Sequence, residues 1–240
     1  AIAALASAKL AGLFGRNVGL VAEAVEALCR WRRSYFHAGL GPLVTRPADI
    51  ARFRHSDIPD LTGKVALVTG ANAGLGYFTA LHLAKNGATV VITCRTEQKA
   101  AEAAESINAA IGAKRIVPMT AELESLKSVD AFARAFLAKY DKLDIFVPNA
   151  GIPGTATMEF TEDNLEKTIQ VDHLAHFLMY KLLEPALLKA AQHGLVRVAV
   201  VSSCFAYLAT ELPITLNELH DPERYKQKGY YKYAKLMNLL

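Results

Sequence analysis

The stretch Val65-Ala66-Leu67-Val68-Thr69-Gly70-Ala71-Asn72-Ala73-Gly74-Leu75-Gly76 carries the decision about the fold. Its first five residues form an apolar run of the length and composition of a strand buried on both faces. Glycines at 70, 74 and 76 follow, and a helical pattern takes over from Leu75 to Asn86. Glycine lets a backbone turn tightly and approach a ligand closely. A helix that starts directly after such a turn offers its free amides to an anion. Glycine spacing alone is weak evidence, but between a strand and a helix it has the context that a phosphate-binding loop requires.

Outward from this stretch the chain alternates. Ala88 to Thr93 reads as a second strand, Thr96 to Ala110 as helix, Ile116 to Met119 as a third strand and Glu124 to Tyr140 as helix. Leu143 to Val147 reads as a fourth strand, Thr161 to Gln192 as a long helical stretch broken near Val171, and Val196 to Val201 as a fifth strand. Such alternation predicts an α/β fold, a doubly wound parallel sheet of Rossmann type with helices on both faces. Ligands then belong at the carboxyl ends of the strands, near the point where strand order reverses.

The chain of 240 residues is long enough for one such domain and an extension. Residues 1–56 read as an N-terminal helical extension and linker, and 57–240 as the dinucleotide-binding domain. The extension ends in Arg30, Trp31, Arg32 and Arg33. These either complement a helix C-terminus or form a basic anchor for an anionic membrane face or partner protein through residues 1–36. Ala1 to Ala22 holds no acidic residue, and Lys9 and Arg16 interrupt its apolar runs before they reach membrane-spanning length. An organellar or membrane-associated location is the expectation from this start. A net charge of +4 without an aromatic-basic recognition pattern argues against a nucleic-acid partner. Cys29, Cys94 and Cys204 lie far apart, so neither a disulfide framework nor a metal site is expected.

The motifs resemble those of the short-chain dehydrogenases/reductases. Asp60-Leu61-Thr62-Gly63-Lys64 leads into Thr69 to Gly76, which is similar to the family's TGxxxGxG loop. Asn149-Ala150-Gly151, Val171-Asp172-His173-Leu174-Ala175-His176-Phe177, Val201-Ser202-Ser203 and Tyr231-Lys232-Tyr233-Ala234-Lys235 follow in the family's order. Cys94-Arg95 and the His173–Phe177 segment look most like the retinol-dehydrogenase-like branch, although plant-type protochlorophyllide reductases share much of the pattern. The resemblance implies a nicotinamide dinucleotide held by Gly70, Asn72, Ala73, Gly74, Leu75, Gly76, Glu122, Asn149, Ala150, Gly151, Tyr231 and Lys235.

After the second strand stands Arg95 rather than a carboxylate that would accept the ribose hydroxyls of NAD, so NADP(H) is favoured over NAD(H). Carbonyl reduction needs a proton donor beside the hydride source, and a tyrosine with a lysine one helical turn later meets that need. Tyr231 and Lys235 have this spacing; Tyr230 does not. Ser203, with Ser202 as the neighbouring alternative, would bond the substrate oxygen. Asp172 stands where the family pattern has Asn, in the helix that supports the proton relay. It joins Ser203, Tyr231 and Lys235 as a catalytic candidate, one able to pair with Lys235 and weaken its effect on Tyr231. Pro148 likewise replaces a common Asn.

The family continues past the Tyr-Lys helix into further strands. The chain stops at Leu240, which reads as a truncated C-terminal end and predicts an exposed sheet edge. The leading expectation is an NADP(H)-dependent oxidoreductase interconverting an alcohol and a carbonyl on a moderately apolar small molecule, in a monomer or an oligomer. The rival is a catalytically weak or inactive dinucleotide-binding structural subunit of a larger membrane protein assembly, such as an organellar one.

Overall fold

The computed structural model describes residues 55–209, 221–223, 225 and 229–240. The expected N-terminal helical extension, the Arg30–Arg33 cluster and Cys29 lie outside the described residues. So does most of the segment between Thr210 and Lys228.

Five parallel strands stand in the order β3-β2-β1-β4-β5, with β1 Val65–Thr69, β2 Thr89–Cys94, β3 Ile116–Thr120, β4 Ile145–Val147 and β5 Arg197–Val198. The order reverses between β1 and β4, which opens a crevice at their carboxyl ends. Alternate side chains of each central strand enter different cores. Leu67, Val91 and Phe146 pack on one face with Phe132, Phe136, Met179 and Leu183. Ala66, Val68, Val90 and Ile92 pack on the other with Ala80, Ala84 and Ile107. Both faces are thus covered, as the apolar runs require.

The helices are α1 Gly74–Lys85, α2 Glu97–Ile111, α3 Leu126–Lys139, α4 Ala175–Ala191 and α5 Tyr231–Met237. Thr96 caps α2 through its hydroxyl and Ser125 caps α3. At α1 the capping position is Ala73, which supplies no side-chain acceptor. The first amides of α1 therefore keep their capacity for an outside anion.

At the end of the sheet opposite the crevice, buried Asp144 joins β4 to β1. It accepts the Val65 amide at 2.9 Å and the Lys64 ammonium at 2.9 Å, with Lys142 at 3.4 Å. Burial opposes ionisation there, but these partners outweigh it and hold the carboxyl below its usual range.

Three expectations need correction. The long helical stretch does not begin at Thr161: Phe160 forms an antiparallel bridge with Glu166, and the helix starts with a turn at Lys167–Ile169. Nor does it break near Val171. It continues through a π-helical turn, Gln170–Leu174, directly into α4. Such a turn widens the backbone spiral by one residue, and π-turns recur at functional sites.

The fifth strand is shorter than Val196–Val201, and both its residues are exposed. Its ladder nonetheless runs on, with Ala199 N–H donating to Phe146 O at 2.8 Å and Val201 N–H to Pro148 O at 3.0 Å. The sheet edge at β5 is open among the described residues, with Leu195, Val198 and Val200 all exposed.

Candidate active site

The loop after β1 is shaped by what lies against it. Gly70 has φ +63°, and a Cβ there would stand 2.8 Å from Ala150 Cα. Gly76 has ordinary helical geometry, but a Cβ would fall 2.5 Å from the Gly70 carbonyl and against the Asn149 amide. Asn149 in turn donates through Nδ2 to Thr69 O at 2.8 Å and Gly70 O at 3.3 Å. The glycine turn and the Asn149–Gly151 segment therefore form one packed unit. Asn72, Ala73, Gly74 and Leu75 line its exposed rim. These features fit a pyrophosphate cradle: close backbone approach, and uncapped amides at the head of α1.

Arg95 is the first residue after β2 and is exposed. Beneath the loop, Cys94 is buried within reach of the Ala71 and Asn72 amides, and burial pushes its thiol up. Glu122 follows β3, its amide donating to Ser128 Oγ at 2.9 Å. The glycine turn, Arg95, Glu122 and the Asn149–Gly151 segment thus all lie at the carboxyl ends of the strands.

Thr69 Oγ1 joins three elements. It accepts the amides of Asn149 and Ala150, both at 2.9 Å, and lies 2.9 Å from His176 Nε2. With both lone pairs engaged, the hydroxyl proton is left for the imidazole, so Nε2 accepts and the proton of neutral His176 sits on Nδ1. Nδ1 lies 3.5 Å from the Asp172 carbonyl. Burial takes His176 from the ordinary 6.5 down to about 4.

The sign of the resulting pH effect follows directly. Between those values the unfolded chain binds a proton that the folded chain refuses, so stability falls as pH drops from about 6.5 to about 4. The expected loss is roughly 3 kcal/mol. Urea unfolding of the native chain and His176→Asn across this window checks it. The native protein should lose the larger share, and parallel slopes would refute the assignment.

The π-turn and α5 carry the second half of the site. Asp172 is fully buried; Oδ1 accepts the Ile152 amide at 2.7 Å, and Oδ2 lies 3.0 Å from Lys235 Nζ. A Cβ on Gly151 would stand 2.9 Å from that Oδ2 and 3.1 Å from that Nζ. Lys235 Nζ also sits 5.4 Å from the centre of the Tyr231 ring. Tyr231, half-buried, meets the Phe205 ring edge-on at 5.7 Å. Tyr230, its rejected neighbour, is 1% exposed among Tyr225 and Tyr233.

The two serines separate. Ser202 donates to the Lys235 carbonyl at 2.6 Å and anchors α5. Ser203 accepts the Phe205 amide at 3.2 Å and begins the turn Cys204–Leu208 beside Tyr231.

Asn238 was not singled out from sequence. It donates to Asp172 O at 3.0 Å and to Val201 O at 3.3 Å, and its Oδ1 lies 2.9 Å from His173 Nδ1. It thereby ties α5 to the π-turn and to the chain just beyond β5. Its spacing of three from Lys235 on one helix face was the available signal. With His173 on Asn238 and His176 on Thr69, both imidazoles have protein partners.

Among the described residues no group of three or more His, Cys, Asp or Glu side chains is arranged to hold a metal, and no helix is long and apolar enough to cross a membrane.

Comparison with known proteins agrees with this geometry. Residues 64–210 match the short chain dehydrogenase family model. An uncharacterized oxidoreductase of Schizosaccharomyces pombe is 37% identical over 193 residues, 78% of this chain and 57% of that protein. Polyprenol dehydrogenase of Mus musculus is 38% identical over 185 residues, 77% of this chain and 54% of that protein. The chain thus spans little more than half the length of these relatives. Among solved structures, an uncharacterized protein of Mycobacterium paratuberculosis superposes with a TM-score of 0.61 at 31% identity, covering 78% of this chain and 63% of the other. A short chain dehydrogenase of Escherichia coli CFT073 complexed with NADPH superposes at 0.58 and 25% identity, covering 74% and 68%. Sheet order, glycine cradle and family match converge, and the chain belongs to the short chain dehydrogenase family.

Proposed function

We propose that the protein is an NADP(H)-dependent oxidoreductase interconverting an alcohol and a carbonyl on a moderately apolar substrate. The observation that carries this reading is Tyr231 with Lys235 one turn later, its ammonium 5.4 Å from the phenol ring, beside the β1/β4 crevice. Gly70 to Gly76 and Asn149 to Gly151 would hold the dinucleotide, with Glu122 towards the adenine and Lys235 towards the ribose. When bound, the nicotinamide supplies or accepts the hydride.

The protein's own groups handle the proton. In reduction the Tyr231 hydroxyl gives its proton to the oxygen that becomes an alkoxide; in oxidation the phenolate takes one. A positive Lys235 favours the phenolate. Ser203 bonds the reacting oxygen, while Ser202 is committed to the Lys235 carbonyl.

An apolar substrate is supported by the rim next to Ser203. Phe205, Tyr207 and Leu208 are each more than half exposed on one short turn, as a binding face for an apolar molecule would be. The name of one relative, a polyprenol dehydrogenase, points the same way.

Arg95 is exposed at the end of β2 with no carboxylate in its place, which supports the 2′-phosphate of NADP(H). Replacing Arg95 with Ala should weaken NADPH binding roughly tenfold and leave NADH nearly unchanged, since only the charge-assisted phosphate contact is lost. Calorimetric titration of both dinucleotides, alongside NADPH consumption with a panel of apolar aldehydes and ketones, tests the whole reading. Equal loss for both dinucleotides removes the NADP assignment. Binding without turnover on any substrate removes the enzyme assignment and favours a structural subunit.

A further inference from the structure

We propose that Asp172 is a positioning residue that fixes Lys235 over the face of Tyr231 and compensates its charge, so that it determines the pH range in which the site moves a proton. The inference rests on the reading of Tyr231 as the proton-transferring group.

Three observations carry it. The pair is closed and dry: Oδ2 and Nζ are 3.0 Å apart, with side chains 0% and 5% exposed. The carboxylate is also placed without help from the lysine, because Oδ1 takes the Ile152 amide at 2.7 Å and the π-turn carries its backbone. Finally, the pair sits directly over Gly151, where a Cβ would stand 2.9 Å from Oδ2 and 3.1 Å from Nζ, so the ion pair occupies the space that a side chain at 151 would need. Water screens such a pair little, and a carboxylate at contact distance cancels much of the field that Lys235 exerts on the phenol.

The other titratable groups around the pair do not take over this role. On the helical segment that carries Asp172, His173 and His176 are both shifted down by burial and stay neutral near pH 7. Glu166, at the start of that segment, is shifted up by burial, while the Ile169 and Thr168 groups oppose the shift. From α5 come Lys235 and Tyr231 themselves, and Asn238 contributes only a neutral amide to the Asp172 carbonyl. The β4 side presents Gly151 and the Ile152 amide. Asp172 therefore supplies the carboxylate that faces Lys235. Burial raises its own protonation, and Lys235 and the Ile152 amide oppose that.

Asp172→Asn separates charge from shape. The amide oxygen can still accept the Ile152 amide, so the helix and Gly151 keep their places while the negative charge disappears. Lys235 then acts uncompensated, and Tyr231 should ionise at lower pH than in the native background. This is read without any substrate as tyrosinate absorbance, taking the difference between Asp172→Asn and Asp172→Asn/Tyr231→Phe, against the same difference in the native background. Where turnover is measurable, the limb of the pH–rate profile belonging to Tyr231 should move to lower pH in both directions of reaction. Phenolate formation at lower pH favours oxidation there and depletes the protonated phenol that reduction needs.

A Tyr231 titration unmoved by Asp172→Asn, in a variant that melts cooperatively and binds NADPH, overturns the proposal. If Asp172→Asn fails to fold, Asp172→Glu keeps the charge on a longer stem, and a Tyr231 titration no closer to native in Asp172→Glu than in Asp172→Ala overturns it equally. A shifted titration in a protein that turns over no substrate sustains the ion-pair inference while removing the oxidoreductase reading.

Discussion

Tyr231→Phe is expected to lower turnover by about 10²–10⁴-fold while dinucleotide affinity stays within about twofold. The argument lies in what the hydroxyl does and what the ring does. The ring holds the local packing, edge-on to Phe205 at 5.7 Å and below Lys235 Nζ at 5.4 Å from its centre. Phenylalanine preserves both contacts and offers Lys235 the same aromatic face. What it removes is the proton that an alkoxide must receive, or the base that must take one. The loss should therefore appear in kcat, with the melting temperature nearly unchanged.

Tyr230→Phe is the matched control. That residue is 1% exposed in a cluster of aromatic rings outside the crevice, and it has no lysine one turn later. It should retain turnover. Comparable loss in both variants, or full activity in Tyr231→Phe, would show that proton transfer in this site is carried by something other than Tyr231.

How far the sequence discloses this site depends on the range of the interactions involved. The first four strands and the helices between them are legible because each is encoded by local periodicity and composition. The glycine loop is legible because strand, turn and helix are contiguous. Tyr231 and Lys235 are legible because four residues on a helix make one turn.

The fifth strand is read too long because an apolar run signals burial. Here its residues 197 and 198 are exposed at an edge, where only the ladder to β4 holds them. The supposed break near Val171 is a real irregularity misread in kind. A π-turn interrupts the 3.6-residue period without ending the helix, and periodicity alone does not separate the two.

Thr69, His176 and Asn238 were not assigned their roles for a different reason. Their partners are 107 residues away for Thr69 and His176 and 66 for Asn238 and Asp172. No local pattern encodes a hydrogen bond across that distance. Asp172 stands between these cases: pairing with Lys235 was inferred from residue type, but its burial and the Ile152 amide required coordinates.

Gly76→Ala is expected to weaken dinucleotide binding by roughly tenfold or more and to cost about 1–3 kcal/mol of stability, the range for overpacking a closed site. The backbone conformation is not the obstacle, since Gly76 lies within α1, where alanine is otherwise preferred. The obstacle is space. The added methyl would meet the Gly70 carbonyl at 2.5 Å, Ala71 Cα at 3.1 Å and the Asn149 side-chain amide. Two of these are backbone atoms with no freedom to rotate away. The third is the amide that holds Thr69 O and Gly70 O, so displacing it loosens the same turn a second time. Both movements misalign the amides that the head of α1 presents to a pyrophosphate, and the anion site is lost by geometry rather than by charge.

Gly112→Ala supplies the contrast. It sits at the end of α2 with φ +67° and nothing within 4 Å, so only backbone strain is incurred. That variant should lose about 1–2 kcal/mol and bind NADPH normally. Thermal melts with NADPH titration on both proteins distinguish crowding from strain. Normal binding by Gly76→Ala would mean that the turn opens without cost, and the close packing of Gly70, Gly76 and Asn149 would then have no part in holding the dinucleotide.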